Sequence, residues 1–471
     1  MIGIGIDFGT SNSAAAWFDG TRVRLVQLES DEAIMPTATH LDRELRTKIG
    51  KAAVQQYIDE NRDRIVELTP EIVGKSDLLI NESNPDDPTS NPEIASVNVY
   101  GQANVDRGMP GRLFRGVKRL LGNASVKRLM VFDRPFRLVA LITPVLLHIR
   151  QSLQQAIPEP LGDVHFGHPV LFEGTDAHRN DLGLERLEEA SRYAGFPQIS
   201  FYPEPVAATL SFLHAKAAPA AGGRPAAGKV LTLDFGGGTL DLSVVAFTGT
   251  EFNVLSTAGL ALGGDHIDQL IFAHLLFPLL GKGENWSRMR DGQLISGEFP
   301  FEDYADKLLN WAVTYTLNQN NYKARLAEVI AAGGAAAEKF QRLEDLITHN
   351  YSYIVFQAIK LAKADLSEVE ETIVDIPELD ILIPFNRQQF ETMMADMLVQ
   401  IDDIIDLVLA RAQCQISDID VVIRTGGSSQ IAAVRRLLER RFPGKVTEHD
   451  PFTGVAAGLA IASYYGYQFD R

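Results

Sequence analysis

Three apolar segments that end in small polar residues predict buried strands with glycine-rich turns. The first is Ile2–Phe8, which ends at Gly9-Thr10-Ser11-Asn12. The second runs from Leu231 to Phe235 before Gly-Gly-Gly-Thr, and the third is Val421–Thr425 before Gly-Gly-Ser-Ser. Short continuous apolar runs bounded by turn residues are typical of strands covered on both faces. Further strands are predicted at Ser13–Phe18, Val164–Phe172 and Leu242–Phe247.

Apolar residues at helical spacing predict helices in several other parts of the chain. These are residues 50–73, residues 141–157, Asp181–Ala194, Ala432–Arg441, and most of 266–361, which carries an Ala/Gly loop at Ala331–Ala337. The alternation of such helices with buried strands indicates an α/β protein.

The first two strands share a repeated motif. Both end in Asp-Phe-Gly, at Asp7 and at Asp234, and both are followed by small residues and a second strand. The most linker-like segment, Ala215–Lys229, separates the two copies. The pattern predicts two duplicated lobes, the first over residues 1–227 with 448–471 returning to it, the second over 228–447. The proline-containing stretch Asn81–Asn98 predicts a polar insertion in the first lobe (near 75–112), and the helical region 266–361 an insertion in the second.

Composition excludes several classes of protein. The 471 residues carry a formal net charge of -17, which argues against a nucleic-acid partner because phosphate binding needs clustered Lys and Arg. The single cysteine, Cys414, excludes an internal disulfide and suits a reducing compartment. The longest apolar stretch, Leu138–Leu147, is about half of a membrane span. With no signal peptide at the start, we expect a cytoplasmic protein with no membrane partner.

The three strand ends suit a phosphate chain. Glycine lets the backbone approach closely, free N–H groups point at the oxygens, and hydroxyls add donors. Asp7 and Asp234, facing each other across a cleft, would hold Mg²⁺ largely through its water molecules. Two ordinary hairpins with glycine turns are the alternative, which the third glycine pair at Gly426 makes weaker. Asp-Phe-Gly also occurs in protein kinases, but neither G-x-G-x-x-G nor H-R-D accompanies it here.

Together these motifs resemble those of the actin-like ATPase superfamily, and within it the nucleotide-binding domain of DnaK-type heat-shock chaperones. The resemblance extends from residue 2 to about 465 and is greatest for the YegD-type proteins, which lack a substrate-binding domain. It implies two ribonuclease H-like lobes with inserted subdomains around a nucleotide cleft. The supporting segments are Asp7–Asn12, Phe114–Gly122, Tyr202–Ala208, Asp234–Asp241, Ser256–Asp268, Lys363–Ser367 and Gly426–Ser428.

The resemblance also implies a role for individual residues. The cofactors would be ATP or ADP with Mg²⁺, and K⁺ as a further candidate, and water would attack the γ-phosphoryl group in line. The metal would be held by Asp7, Asp234 and Glu204. The implied catalytic residues are Lys118, Glu204, Asp7, Asp234, Thr239 and Asp241. The implied nucleotide-binding residues are Gly9, Thr10, Ser11, Asn12, Gly236, Gly237, Gly238, Thr239, Gly264, Lys360, Lys363, Ser367, Gly426, Gly427, Ser428 and Gln430.

Two of these residues have a simpler alternative. Without the resemblance, Lys118 would belong to a solvated basic face with Arg112, Arg115 and Arg119. Glu204 precedes Pro205 at the start of a predicted helix, where an acid is more often a partner of the helix dipole.

The adenosine side departs from the family pattern. Lys360 stands where the family has a ribose-binding glutamate, Ala364 and Gln430 replace arginines that pack on the base, and Phe452 replaces an acid. Since each lost cation is worth about 0.5 to 2 kcal/mol, we expect weaker or less adenine-selective binding.

The expected function is a slow ATPase that acts as a conformational switch and is read by a co-chaperone or client protein. The chain ends a few residues after the last motif, so no peptide-binding domain is expected. Two alternatives stay open. A small-molecule kinase needs a catalytic Asp, whereas Lys118 and Glu204 fit attack by water better. A filament-forming protein is the other, although a charge of -17 opposes self-association.

Overall fold

The computed structural model describes residues 2–66, 68–81, 93–106, 108–132, 134–172, 177–217, 227–249, 251–290 and 293–467. The described strands, in chain order, are β1 (Gly3–Phe8), β2 (Asn12–Phe18), β3 (Val23–Leu25), β4 (Met35–Pro36), β5 (Ala38–Asp42), β6 (Thr47–Ile49), β7 (Leu68–Asn81), β8 (Glu93–Asp106), β9 (Gly111–Arg115), β10 (Arg128–Val131), β11 (Arg134–Arg137), β12 (Asp163–His168), β13 (Gln198–Pro203), β14 (Ala227–Phe235), β15 (Leu240–Thr248), β16 (Glu251–Leu260), β17 (Asn285–Arg290), β18 (Gln293–Glu298), β19 (Glu371–Ile376), β20 (Ile381–Asn386), β21 (Val421–Thr425) and β22 (Val446–Glu448).

The described α-helices are α1 (Gly50–Asn61), α2 (Leu138–Ala156), α3 (Arg179–Tyr193), α4 (Glu204–Ala217), α5 (Gly264–Leu275), α6 (Glu302–Leu308), α7 (Asn320–Ala332), α8 (Ala335–Thr348), α9 (Ser352–Glu368), α10 (Arg387–Met393), α11 (Ala395–Arg411), α12 (Ala432–Arg441) and α13 (Gly454–Tyr465). Short 3₁₀ helices lie at Val117–Leu120, Phe277–Leu280, Thr314–Leu317, Pro377–Leu379, Ile416–Asp418 and Gly427–Gln430. In the described part of the chain, no helix is long and apolar enough to cross a membrane.

Two mixed sheets have the same strand order. The first runs β13-β12-β1-β2-β3, with β4 also paired to β2, and the second runs β22-β21-β14-β15-β16. In the first sheet, the central strand β1 pairs antiparallel with β2 and parallel with β12. In the second sheet, the central strand β14 pairs antiparallel with β15 and parallel with β21 in the same way. The sheets are the centres of two lobes, called here the first and the second lobe. The duplication and the α/β class predicted from the repeated Asp-Phe-Gly motif are confirmed by this topology.

The lobes meet where two helices cross. Helix α13 packs on β1, β2 and β12, α4 packs on β14 and β15, and the two helices pack on each other. Glycines let α13 approach its neighbours closely, because a Cβ added at Gly5 of β1 would lie 2.3 Å from the Ala456 carbonyl oxygen. One added at Gly458 would lie 1.7 Å from the Ala207 carbonyl oxygen. The crossing therefore tolerates no side chain at Gly458.

Several expectations about local structure were wrong. The helix predicted over residues 50–73 ends at Asn61, and β7 begins at Leu68. The chain leaves the helix at Arg62, whose backbone is extended, and Asp63, at positive φ, donates its N–H to the Thr348 carbonyl oxygen of the second lobe. The loop predicted at Ala331–Ala337 shrinks to Gly333 and Gly334, both at positive φ, because α7 and α8 continue through the alanines.

Other segments need a correction or lie outside the description. The region 266–361 is mostly helical as predicted, but it also holds the β17–β18 hairpin. Of the predicted polar insertion, residues 93–98 belong to strand β8, and residues 82–92 lie outside the described residues. Within the predicted linker, residues 218–226 also lie outside them. The lobe boundaries stay a prediction.

Candidate functional site

A cleft of about 600 Å³ opens between the lobes, at the ends of the central strands β1, β14 and β21. We call it the central cleft. Of the site residues predicted from the sequence, it is lined by Asp7, Gly9, Thr10, Ser11, Asn12, Lys118, Glu204, Asp234, Gly236, Gly237, Gly238, Thr239, Gly264, Lys360, Lys363, Ser367, Gly426, Gly427, Ser428 and Gln430. Asp241 lies behind this wall. Residues separated by up to 423 positions along the chain, from Asp7 to Gln430, thus line one cavity.

The glycine-rich turns of the two lobes touch each other across the cleft. A Cβ on Gly237 would lie 2.6 Å from Ser11 Oγ, and one on Gly238 would lie 2.9 Å from the Thr10 side chain. Ser428 Oγ donates to the Gly236 carbonyl oxygen at 3.0 Å, which links the third turn to the second. The missing side chains therefore let three turns converge, with backbone N–H groups near the cavity.

Lys118 and Glu204 form a buried ion pair at the bottom of the cleft. Lys118 lies on the 3₁₀ helix Val117–Leu120, directly after β9. Its side chain is only 4% exposed, and its Nζ lies 2.5 Å from Glu204 Oε1. Glu204 is the first residue of α4. Burial at this depth contradicts the alternative in which Lys118 belongs to a solvated basic face.

Three aspartates crowd around this ion pair. Burial, with the charge of Glu204 adding to it, raises the pKa of Asp7 to about 7. The same two causes raise the pKa of Asp241 to about 7, against the lowering effect of a hydrogen bond from Thr239. The pKa of Asp234 is raised well above its usual range by burial and then by Glu204, Asp241 and Asp7. The site therefore holds more negative charge than Lys118 alone compensates.

Asp241 supports the site from behind. It is paired with Asp234 in the β14–β15 hairpin and is almost fully buried. Its Oδ1 accepts a hydrogen bond of 2.9 Å from the backbone N–H of Val170, in the first lobe. Asp241 thus connects the two lobes directly below the aspartates that line the cleft.

At the other end of the cleft, Gln430 is held by a polar network. Arg424 Nη1 donates to Gln430 Oε1 at 2.8 Å, and Gln430 Nε2 donates to Glu448 Oε1 at 2.9 Å. Arg424 Nη2 lies 2.6 Å from Glu448 Oε2, which closes the triangle. The sequence prediction missed Arg424 and Glu448. A charged residue inside the apolar strand Val421–Thr425 was the signal that could have revealed them.

Neighbouring residues complete this end of the cleft. Lys363 Nζ lies 2.5 Å from Asp268 Oδ1, and Lys360 Nζ lies 4.0 Å from Asp268 Oδ2. Phe452 also lines the cleft, 56% exposed, and is the closest contact that a Cβ on Gly427 would meet, at 3.2 Å. The Phe452 ring is therefore accessible to a ligand in the central cleft.

The duplicated lobes and the cleft between three glycine-rich turns define the actin-like ATPase fold. The family model for "Hsp70 protein" matches residues 120–284 and 336–464. The chain belongs to the Hsp70 family.

Curated relatives point the same way. The chain is 25% identical over 469 residues to the chaperone protein DnaK of Cenarchaeum symbiosum, which covers 97% of this chain and 53% of that relative. It is 28% identical over 356 residues to the chaperone protein DnaK of Mycoplasmopsis agalactiae, which covers 73% of this chain and 47% of that relative. The chain thus spans about half the length of the curated relatives it matches.

Proposed function

We propose that the protein binds ATP in the central cleft, hydrolyses it slowly to ADP and phosphate, and changes the angle between its lobes as it does so. The observation that carries this proposal is the buried Lys118–Glu204 pair among three aspartates, between two glycine-rich turns. Such a site offers backbone donors for a phosphate chain and a fixed ammonium group beside it.

The carboxylate groups of the central cleft suit a divalent cation that is held through its water molecules. In the described residues, no three acidic, histidine or cysteine side chains are arranged to chelate a metal directly. The raised pKa values of Asp7 and Asp234 nevertheless show an excess of buried carboxylate groups. We propose that Asp7, Asp234 and Glu204 contact a hydrated Mg²⁺, which would neutralise charge on the phosphate oxygens. We also propose K⁺ as a further cofactor.

The remaining roles in hydrolysis fall to side chains and backbone groups of the protein. In the proposed mechanism Lys118 Nζ and Asp241 position the attacking water, Thr10 and Thr239 donate hydroxyls to phosphate oxygens, and the glycine turns donate N–H groups. None of these groups needs to accept a proton early, because phosphoryl transfer depends mainly on positioning and on charge neutralisation.

The lobe angle would then be the signal that a partner protein detects. We propose a co-chaperone or a client protein as this partner, in line with the chaperones named among the relatives. Membership of the YegD-type group, a cytoplasmic location and the absence of a peptide-binding domain stay predictions.

A phosphate-release assay without any added acceptor tests the proposed function. We expect slow release of phosphate from ATP in the presence of Mg²⁺, and a fall to the buffer rate when EDTA removes the metal, because the carboxylate cluster then has no counter-charge. Turnover that appears only with an added small-molecule acceptor would support the kinase alternative instead. ATP-dependent sedimentation of polymer would support the filament alternative.

Nucleotide selectivity gives a second test. With Gln430 tied to Arg424 and Glu448, no arginine is free to stack on adenine from this position, and we expect Phe452 to supply the stacking surface. Phe452→Ala should weaken ATP binding about 5- to 100-fold, since base–aromatic stacking is worth about 1 to 3 kcal/mol. ATP and GTP should bind with similar affinity, because a ring face stacks on either base. Isothermal titration of ATP, GTP and ADP measures both effects.

The matched control is Tyr193→Ala, which removes an aromatic ring of similar exposure (65% against 56% for Phe452) on α3. Tyr193 does not line the cleft. It should leave binding unchanged. Nanomolar, strictly adenine-selective binding, or equal affinities of Phe452→Ala and Tyr193→Ala, would contradict the prediction.

A further inference from the structure

A second cavity, of about 510 Å³, adjoins the central cleft. We call it the side cavity. The two share the wall residues Thr10, Ser11, Asp265, Asp268 and Lys360, so the side cavity opens beside the proposed phosphate position. Its remaining wall comes from β9 and the following 3₁₀ helix in the first lobe, and from residues 309–315 in the second. None of the functions above uses it.

Arg115 places a positive charge in this wall without a carboxylate partner. Its buried Nε has no hydrogen-bond partner, and none of the ion pairs in the described part of the chain includes Arg115. Its guanidinium carbon lies 5.0 Å from the centre of the Trp311 ring. Burial lowers the pKa of Arg115 below its usual range, and the largest opposing contribution comes from Asp265. A buried cation outside any ion pair is costly, which makes Arg115 a candidate for binding an anion.

The other two arginines of the wall are already engaged. Arg112 Nη1 donates to the Met130 carbonyl oxygen at 2.5 Å. Arg119 Nη2 lies 3.4 Å from His266 Nε2. Arg115 is thus the arginine of this wall to which the described part of the chain gives no hydrogen-bond or ion-pair partner.

Aromatic rings form the part of the wall next to Arg115. Tyr57 Oη donates to the Ala312 carbonyl oxygen at 2.9 Å. The Tyr57 ring stands edge-on to Trp311 at 5.7 Å and to Tyr315 at 6.1 Å. Because these rings pack edge to face and hold each other in place, they form a preformed apolar wall at little entropic cost.

We propose that the side cavity binds a small organic anion, an aryl phosphate or aryl carboxylate. Its charged group would pair with the Arg115 guanidinium, and its ring would lie against Tyr57, Trp311 and Tyr315. The volume far exceeds a single phosphate ion, and the aromatic wall adds affinity that an inorganic ion cannot use. This inference goes beyond the proposed ATPase, because Arg115 lines the side cavity and not the central cleft.

Calorimetric titration with phenyl phosphate tests the proposal. The titration is run with the nucleotide-free protein and again with Mg²⁺ and saturating AMP-PNP, which fills the phosphate position of the central cleft. We expect phenyl phosphate to bind in both cases. Arg115→Leu should weaken it about 10- to 100-fold, as expected for loss of hydrogen bonds to a charged group. Inorganic phosphate has only the charged group, and benzyl alcohol has only the aromatic ring. Both should bind at least about tenfold more weakly than phenyl phosphate.

Arg24→Leu is the matched control, since the Arg24 guanidinium also lies over a tryptophan, 4.7 Å from the Trp17 ring, but at the surface. It should leave phenyl phosphate binding unchanged. If Arg115→Leu lowers the melting temperature of the protein, Arg115→Lys is the second variant, because it keeps the charge and should retain part of the affinity. Trp311→Phe should weaken the binding of phenyl phosphate but not the binding of inorganic phosphate.

Three results would overturn the proposal: equal binding by Arg115→Leu and Arg24→Leu, one-for-one displacement of phenyl phosphate by AMP-PNP, or phosphate binding as tightly as phenyl phosphate. If AMP-PNP itself does not bind, the proposed function fails, and the Arg115 dependence in the nucleotide-free protein still decides this inference.

Discussion

Replacing Lys118 with methionine is expected to lower phosphate release about 10²- to 10⁴-fold, the range found when a positioned catalytic group is removed. The same change should destabilise the protein by about 3 to 5 kcal/mol. It leaves the Glu204 carboxylate buried beside Asp7, Asp234 and Asp241, with no cation in contact. Phosphate release under saturating ATP and Mg²⁺ measures the first effect, and urea unfolding measures the second.

A double variant separates the two consequences. Lys118→Met with Glu204→Gln removes both charges of the pair, so most of the stability should return while hydrolysis stays absent. The control is Lys51→Met, because Lys51 also lies 2.5 Å from a carboxylate, that of Glu32, but both partners are about half exposed. An exposed pair contributes about 1 kcal/mol or less. If Lys118→Met hydrolyses ATP as fast as Lys51→Met, Lys118 has no part in the mechanism.

Gly458→Ala is expected to destabilise the protein by about 2 kcal/mol or more, which reverses the usual sign of this substitution in a helix. In the interior of an exposed helix, alanine is about 1 kcal/mol better than glycine. Here the new methyl group would lie 1.7 Å from the Ala207 carbonyl oxygen, so α4 and α13 must move apart and lose packing. Thermal and urea unfolding measure the change.

Gly162→Ala is the control for this prediction, since a Cβ at Gly162 would meet no atom within 4 Å. Its stability should stay within about 0.5 kcal/mol of the wild type. A Gly458→Ala protein that is as stable as Gly162→Ala, or more stable than the wild type, would show that the crossing is loosely packed.

Local patterns were enough to predict the duplicated lobes. The strand ends at Asp7, Asp234 and Gly426 are marked by apolar runs and glycines within a few residues, and these depend on backbone geometry and burial alone. Helix α12 was predicted with the bounds that it has, Ala432–Arg441, because its apolar residues repeat at helical spacing between a turn and a phenylalanine. Such features need no knowledge of distant residues.

Features that depend on distant residues escaped prediction. The end of α1 at Asn61 depends on a contact of Asp63 with Thr348 of the second lobe, and the 3₁₀ helix that carries Lys118 depends on packing against α2. Such tertiary contacts override helix propensity. The Arg424–Gln430–Glu448 network joins a strand, a turn and a second strand, and pattern alone does not show that a charged residue in β21 turns toward Gln430. The excess of buried carboxylates becomes apparent only when the four acids are brought together.

Helix α4 gives the position of Glu204 a mechanical meaning. Glu204 is its first residue, and Ala207, where Gly458 of α13 crosses it, is three residues later. In the proposed mechanism, the acid that would contact the cation and the contact about which the lobes would rotate therefore belong to the same helical turn. A sub-ångström shift of this carboxylate toward a cation would tilt the helix crossing itself, and the far ends of both lobes would move by a multiple of that distance.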